Sequence, residues 1–266
     1  MLRDVAEMSW LDKLPFRLGT TSYIIPADIL PNLRYLAGKV RDVELVLFDV
    51  DEYCNIPTAS QVAEMKVIGS ANDLSYTVHL PLDLNFSETE TSLSIEKALK
   101  VIRAMEPLDP FAYVCHLDSR NLSAGEMDKE NWLFAREAAV QQILSRADVG
   151  KKLCIENLEN YPAEWNLPII RRMGVSACSD VGHLWLEKRE IDELSPEWAE
   201  LTRVIHLHGI GSRDHQSLIH TKPQTLRGLL SRLCEWDYRG VVTLEVFNEA
   251  DFNSSIELIR LWDETR

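Results

Sequence analysis

Seven side chains able to bind a divalent cation fall at the ends of short apolar runs. They are His79 in Val78-His-Leu-Pro81, His116 in Cys115-His-Leu-Asp118, Glu156 in Ile155-Glu-Asn157, Asp180 and His183 in Ser176-Ala-Cys-Ser-Asp-Val-Gly-His183, His206 in Ile205-His-Leu-His208, and Glu245 in Leu244-Glu-Val246. Imidazole nitrogens and carboxylate oxygens are the common ligands of zinc and manganese. Two carboxylates facing one substrate can also move a proton as an acid/base pair. Each motif is weak alone: Asp-x-Gly-His in a turn is more often an Asx-turn followed by a solvated histidine. An acid inside an apolar run is costly unless it is paired or bound to metal, and these runs contain few lysines or arginines.

The runs that carry these residues recur at the spacing of a repeating strand and helix unit. Strand-like segments are Phe16–Ile25, Val43–Val50, Ser75–Pro81, Ala112–Leu117, Lys152–Asn157, the stretch from Ser176, Arg203–His208 and Gly240–Phe247. Helices are expected from about Ala27 to Ala37, Pro57 to Ser70, Ser92 to Met105, Asn131 to Arg146, from Ser195-Pro196-Glu197 onward, through Leu226, Leu229, Leu230 and Leu233, and from Phe252 to Asp263. Ile95, Leu99 and Ile102 show the three and four spacing of one apolar helical face. Ser195 followed by Pro196 reads as an N-cap and first helical position. Side chains alternate along a strand, so Cys154 shares a face with Glu156, Cys178 with Asp180, and His206 with His208. Eight strands alternating with helical segments predict a parallel sheet closed into a single (β/α)8 TIM barrel spanning residues 1–266. An open doubly wound sheet would need a glycine-rich phosphate loop after the first strand, and Gly19-Thr-Thr-Ser-Tyr23 is not one. In a barrel the C-terminal strand ends surround one mouth, where all seven candidate ligands would meet.

Composition agrees with that architecture and narrows the partners. The chain has 266 residues, more than the usual domain of about 100–200 but close to the roughly 250 of one barrel. Its formal net charge of −14 repels polyanions, so a nucleic-acid polymer or an anionic membrane is an unsuitable partner. Five cysteines without a C-x-x-C pair, three of them (Cys115, Cys154, Cys178) in strand-like runs, read as reduced core thiols and a cytoplasmic setting. Asp4 and Glu7 do not suit a signal peptide, and no run approaches the roughly 20 apolar residues of a membrane span.

The order of motifs resembles the xylose isomerase-like TIM-barrel superfamily over about Phe16 to Asp263. That group includes sugar isomerases and epimerases as well as endonuclease IV-type phosphodiesterases. Within it, the chain and especially its segment Leu14–Pro26 is similar to cobamide-remodelling phosphodiesterases. The resemblance implies one divalent ion held by Glu156, Asp180, His206 and Glu245, and in endonuclease-type members a second cluster of His79, His116 and the shared Glu156. A third, built from His183 and an Asp-x-His motif, is in doubt, because the chain reads Arg213-Asp214-His215 and the carboxylate is adjacent to His215 instead of two residues before it. His208 is either a ligand or a partner of one, and His220 is read as a loop residue.

Two chemistries follow, both with zinc or manganese as the expected ion. In the first, two ions bridged by Glu156 assist hydrolysis of a small phosphodiester, for which the resemblance points to the nucleotide loop of a cobamide and hence a corrinoid ligand. In the alternative, Glu156 and Glu245 act as the acid/base pair of a sugar or sugar phosphate isomerase or epimerase that needs only the four-ligand core. A barrel that only binds its ligand is a third reading, disfavoured by the intact ligand set. Tyr23, Trp185 and Arg213 are candidate substrate contacts at the rim, His215 joins the metal candidates, and Asp49, Asp51, Glu52 and Asp118 are read as solvated or capping.

Overall fold

The computed structural model describes residues 10–50, 53–86, 90–117, 128–159, 161–191 and 196–266. In chain order its strands are β1 (Arg17–Thr21), β2 (Asp42–Val46), β3 (Asp49–Val50), β4 (Tyr53–Cys54), β5 (Ser75–His79), β6 (Ala112–Cys115), β7 (Leu153–Glu156), β8 (Ser176–Asp180), β9 (Thr202–Leu207) and β10 (Val241–Leu244). All but β3 and β4 form a closed parallel barrel in the order β1-β10-β9-β8-β7-β6-β5-β2. The helices are α1 (Ile29–Leu36), α2 (Ala59–Asn72), α3 (Thr91–Met105), α4 (Lys129–Arg146), α5 (Asn166–Met173), α6 (Val181–Leu186), α7 (Pro196–Leu201), α8 (Pro223–Glu235) and α9 (Glu249–Thr265). The expected (β/α)8 architecture is therefore present. None of the described helices is long and apolar enough to cross a membrane.

Alternation along the strands divides the core in two. Outward-facing Val43, Leu45, Val78, Ile155, Ile205 and Leu244 pack in the large cluster beneath the helices, with Ile95, Leu99 and Ile102 of α3 and Leu226, Leu229, Leu230 and Leu233 of α8. Inward-facing Ala112, Val114, Cys154, Cys178 and Val204 form a separate small cluster inside the barrel. Two residues farther along their strands come Glu156, Asp180 and His206. The apolar plug thus becomes a polar layer within one step of the pleat. All five cysteines are unpaired, as expected.

Several element ends differ from the sequence reading, each for a local reason. Strand β1 stops at Thr21 rather than near Ile25, because the next turn is fastened by Asn32. The Asn32 Oδ1 accepts the amides of Ile24 and Ile25, and its Nδ2 donates to the carbonyls of Ile25, Ala27 and Asp28. The run Val43–Val50 supplies barrel strand β2 and then β3, which pairs antiparallel with β4 in a small hairpin at the mouth. Helix α2 begins at a capping box, with Thr58 and Gln61 satisfying each other's amides. Helix α5, which the sequence reading did not place, is closed by Gly174 at φ +66, a conformation glycine adopts without strain. Asp51, Glu52, Asp118 and Ser195 lie outside the described residues, as do Asp4 and Glu7.

Candidate metal centre

Strands β7 to β10 each bring one candidate ligand to the floor of the mouth. Nδ1 of His206 lies 3.4 Å from Glu156 Oε1, 3.9 Å from Asp180 Oδ2 and 3.2 Å from Glu245 Oε2. Donor atoms of these four residues all lie within 4.8 Å of one another. A second set, Nε2 of His79 and of His116, faces Glu156 Oε2 at 3.3 and 3.0 Å, so Glu156 presents one oxygen to each set. A third grouping joins Asp180, His183, His208 and His215, and a fourth Glu159, His183 and Asp214.

Hydrogen bonds elsewhere on the rings fix which nitrogen is available. Nε2 of His206 donates to Glu44 Oε2 at 2.9 Å, both residues being fully buried. A neutral His206 therefore turns the lone pair of Nδ1 toward three carboxylates. Nδ1 of His79 is 2.8 Å from the Leu80 carbonyl and Nδ1 of His183 is 3.0 Å from the Asn157 carbonyl. A carbonyl can only accept, so both rings carry their proton on Nδ1 and leave Nε2 as the ligand atom. Asp180 Oδ2, His206 Nδ1 and Glu245 Oε2 are buried without hydrogen-bond partners. Lone pairs facing anionic oxygens in a buried site call for a cation or a proton between them. The donor set, three carboxylates and one imidazole, fits a divalent ion.

Without a metal, protons meet the same demand. Burial opposes charging of His206, but Cys178, Glu44, Glu245 and Glu156 together hold its pKa well above the usual value. His79 rises to about 8 against the opposing effect of burial because of Glu156, and His183 to about 9 because of Asp180 and Glu156. His215 is raised to about 10 by Glu245 and Asp180, again against burial. Burial pushes Glu156 and Glu245 up, yet the facing histidines hold both well below the ordinary carboxylate range. Among the described residues, every ion-pair partner of Glu44, Glu156, Asp180 and Glu245 is a histidine. The mouth is an acidic cup, and no lysine or arginine neutralises it through these contacts.

The seven strand-end residues come together as the barrel expectation requires, and His215 joins them with Nε2 3.3 Å from Glu245 Oε2. The Asp214 carboxylate faces Nδ1 of His215 at 3.3 Å. The proposed rim contacts spread out. Tyr23 lines a cleft with Tyr53, Asn55 and Gln61 beside the small hairpin, Trp185 lines another with Lys188, His220 and Lys222, and Arg213 is an exposed loop residue. The cleft aromatics do not share one wall. His220 falls in a short 3-10 turn, Leu218–His220, and Asp49 pairs with Lys100. Glu44, which orients His206, was missed by the sequence reading, although its position two residues after Asp42 on an otherwise apolar strand marked it as inward-facing.

No family model and no curated protein matches the chain. Solved structures do. A D-tagatose 3-epimerase-like protein has a TM-score of 0.74 at 20% identity, covering 94% of this chain and 98% of that one. L-ribulose 3-epimerase gives 0.72 at 16% identity over 94% and 95% of the two chains. Endonuclease IV from Thermus thermophilus gives 0.67 at 14% identity over 94% and 100%. At these identities the likeness establishes the fold: the chain has the barrel common to sugar epimerases and endonuclease IV. Sugar epimerases predominate among the matches, and none of the three named here is a cobamide-processing enzyme.

Proposed function

We propose that the chain is a divalent-metal-dependent enzyme that epimerises or isomerises a small sugar, with the ion held by Glu156, Asp180, His206 and Glu245. The observation that carries this reading is the Nδ1 lone pair of His206, turned by Glu44 onto three buried carboxylate oxygens. When bound, such an ion supplies Lewis acidity that polarises a substrate carbonyl. Glu156 and Glu245 approach His206 from different strands. One accepts the proton from the carbon beside the carbonyl while the other, in its acid form, returns one. His215, 3.3 Å from Glu245, is placed to supply protons to that carboxylate. The sugar epimerases among the structures that share this fold support the same choice.

A second reading rests on a different observation. His79 and His116 both face Glu156 Oε2, giving two ligand sets that share a carboxylate, as a two-ion phosphodiester hydrolase requires. Its most specific form is cleavage of the nucleotide loop of a cobamide, supported by the resemblance of Leu14–Pro26 and by a net charge of −14 that disfavours long polyanions. The deciding experiment combines elemental analysis with two assays, ketoses in deuterated water and adenosylcobalamin under reducing conditions. One ion per chain with solvent deuterium entering beside the carbonyl is expected. Two ions, no exchange and loss of the lower nucleotide would overturn the first reading in favour of the second.

A further inference from the structure

His208 is fully buried beside the centre, yet its hydrogen bonding differs from that of the other histidines. Its Nδ1 accepts the backbone amide of His215 at 3.0 Å. The Gly209 carbonyl is 3.4 Å from the same nitrogen, but the amide hydrogen already occupies the lone pair there. The neutral ring must then carry its proton on Nε2, which lies 3.3 Å from Asp180 Oδ1 and has no completed hydrogen bond. An N–H has no lone pair for a metal. We propose that His208 is a positioning residue rather than a ligand: its Nε2 edge, 3.3 Å from Asp180 Oδ1, sets that carboxylate so that Oδ2 is left for the cation, while Nδ1 holds the turn that delivers His215.

Four further observations fit this role. His215 has φ +51, a strained conformation for a residue with a side chain, which persists only where its surroundings fix it. The rings of His208 and His215 stack at 4.2 Å with planes 17° apart. On the other side a Cβ built on Gly182 would stand 2.1 Å from Cε1 and Nε2 of His208. Gly182 is therefore the space in which the ring sits, and the glycine of the Asp-Val-Gly-His motif serves His208 as well as the turn. Asp180 Oδ1 also accepts the His183 amide at 2.7 Å, so the oxygen beside His208 is the one tied to the backbone.

The inference rests on the four-residue metal centre, but its test does not depend on which reaction the centre performs. In histidine-labelled protein, nitrogen NMR should show His208 protonated on Nε2 and bare on Nδ1, both before and after zinc is added. His208→Ala should leave the number of ions per chain unchanged while weakening zinc binding about tenfold to hundredfold, the range for partners of metal ligands. His208→Gln, which keeps an N–H near Asp180, should recover part of that loss. Gly182→Ala should weaken zinc binding in the natural background but have little further effect in the His208→Ala background, where the added methyl has room. Loss of the Nε2 proton on adding zinc, or natural affinity in His208→Ala, would overturn the proposal. Should the alanine variant not fold, the NMR result and the glutamine variant decide it. A failure of the epimerase reading would appear in the substrate assays with these metal measurements intact.

Discussion

Replacing Glu44 tests the electrostatic logic of the centre, because Glu44 touches no other ligand and acts through His206. In Glu44→Ala the Nε2–H of His206 loses its acceptor in a fully buried setting, at a cost of about 1–3 kcal/mol. The ring is also freed to turn Nδ1 away from Glu156 and Glu245. Changes to carboxylates behind ligating histidines typically weaken metal binding by about 10–100-fold, or about 1.4–2.8 kcal/mol. Glu44→Gln keeps an acceptor but exchanges a charge-assisted bond for a neutral one of about half the strength, so a loss of about fivefold is expected. Stability of the metal-free protein should respond as well. There Glu44 is a buried counter-ion of a protonated His206, so removing its charge in Glu44→Gln should lower the unfolding midpoint. Zinc titration against a chromophoric chelator measures the affinities, and thermal unfolding of stripped protein measures the stabilities. Natural zinc affinity in both variants, or a larger loss for glutamine than for alanine, would refute the orienting role.

His79→Ala and His116→Ala separate the two proposed chemistries: under the epimerase reading each keeps one ion per chain and loses no more than about tenfold in turnover. Loss of an ion with collapse of activity, read by elemental analysis and initial rates, would support the hydrolase. Asp42 provides a pH prediction, since burial raises its pKa from 3.8 to about 6, against the hydrogen bond from Ser75. The fold then carries more protons than the unfolded chain between those values, so this group's effect is to lower stability as pH rises through that window. Asp42→Asn should remove the decline and gain up to roughly 3 kcal/mol above pH 6, as measured by urea unfolding at pH 5 and pH 8. An equal effect at both pH values would refute the assignment.

The residues at the strand ends were legible because alternation leaves little freedom: once Cys154 and Cys178 face inward, Glu156 and Asp180 must follow. Glu44 was harder to see. It sits within the run Val43-Glu-Leu45, and the acids weighed on that run were those at its end, Asp49, Asp51 and Glu52, which were read as solvated or capping. Which nitrogens of His79 and His183 are free to bind a metal was not readable at all, since that depends on the Leu80 and Asn157 carbonyls being brought against the rings. The same holds for His208, whose Nδ1 is claimed by an amide seven residues away. The segment after β1 was misread as strand because Ile24 and Ile25 have strand-forming side chains, whereas their amides are taken by the Asn32 side chain.

The ligands' strand order bears on when the centre can exist during folding. Glu156, Asp180, His206 and Glu245 come from four consecutive strands, β7 to β10, and a growing chain cannot complete the set until β10 has emerged. Their orienting partner Glu44 comes from β2 and meets His206 across 162 positions of sequence. A half-made barrel would thus offer partial sets whose carboxylates have neither ion nor partner strand, and their mutual repulsion disfavours premature collapse. Closure of β10 against β1 brings the last carboxylate and the final seam together, so the four-residue set is complete only when the barrel is.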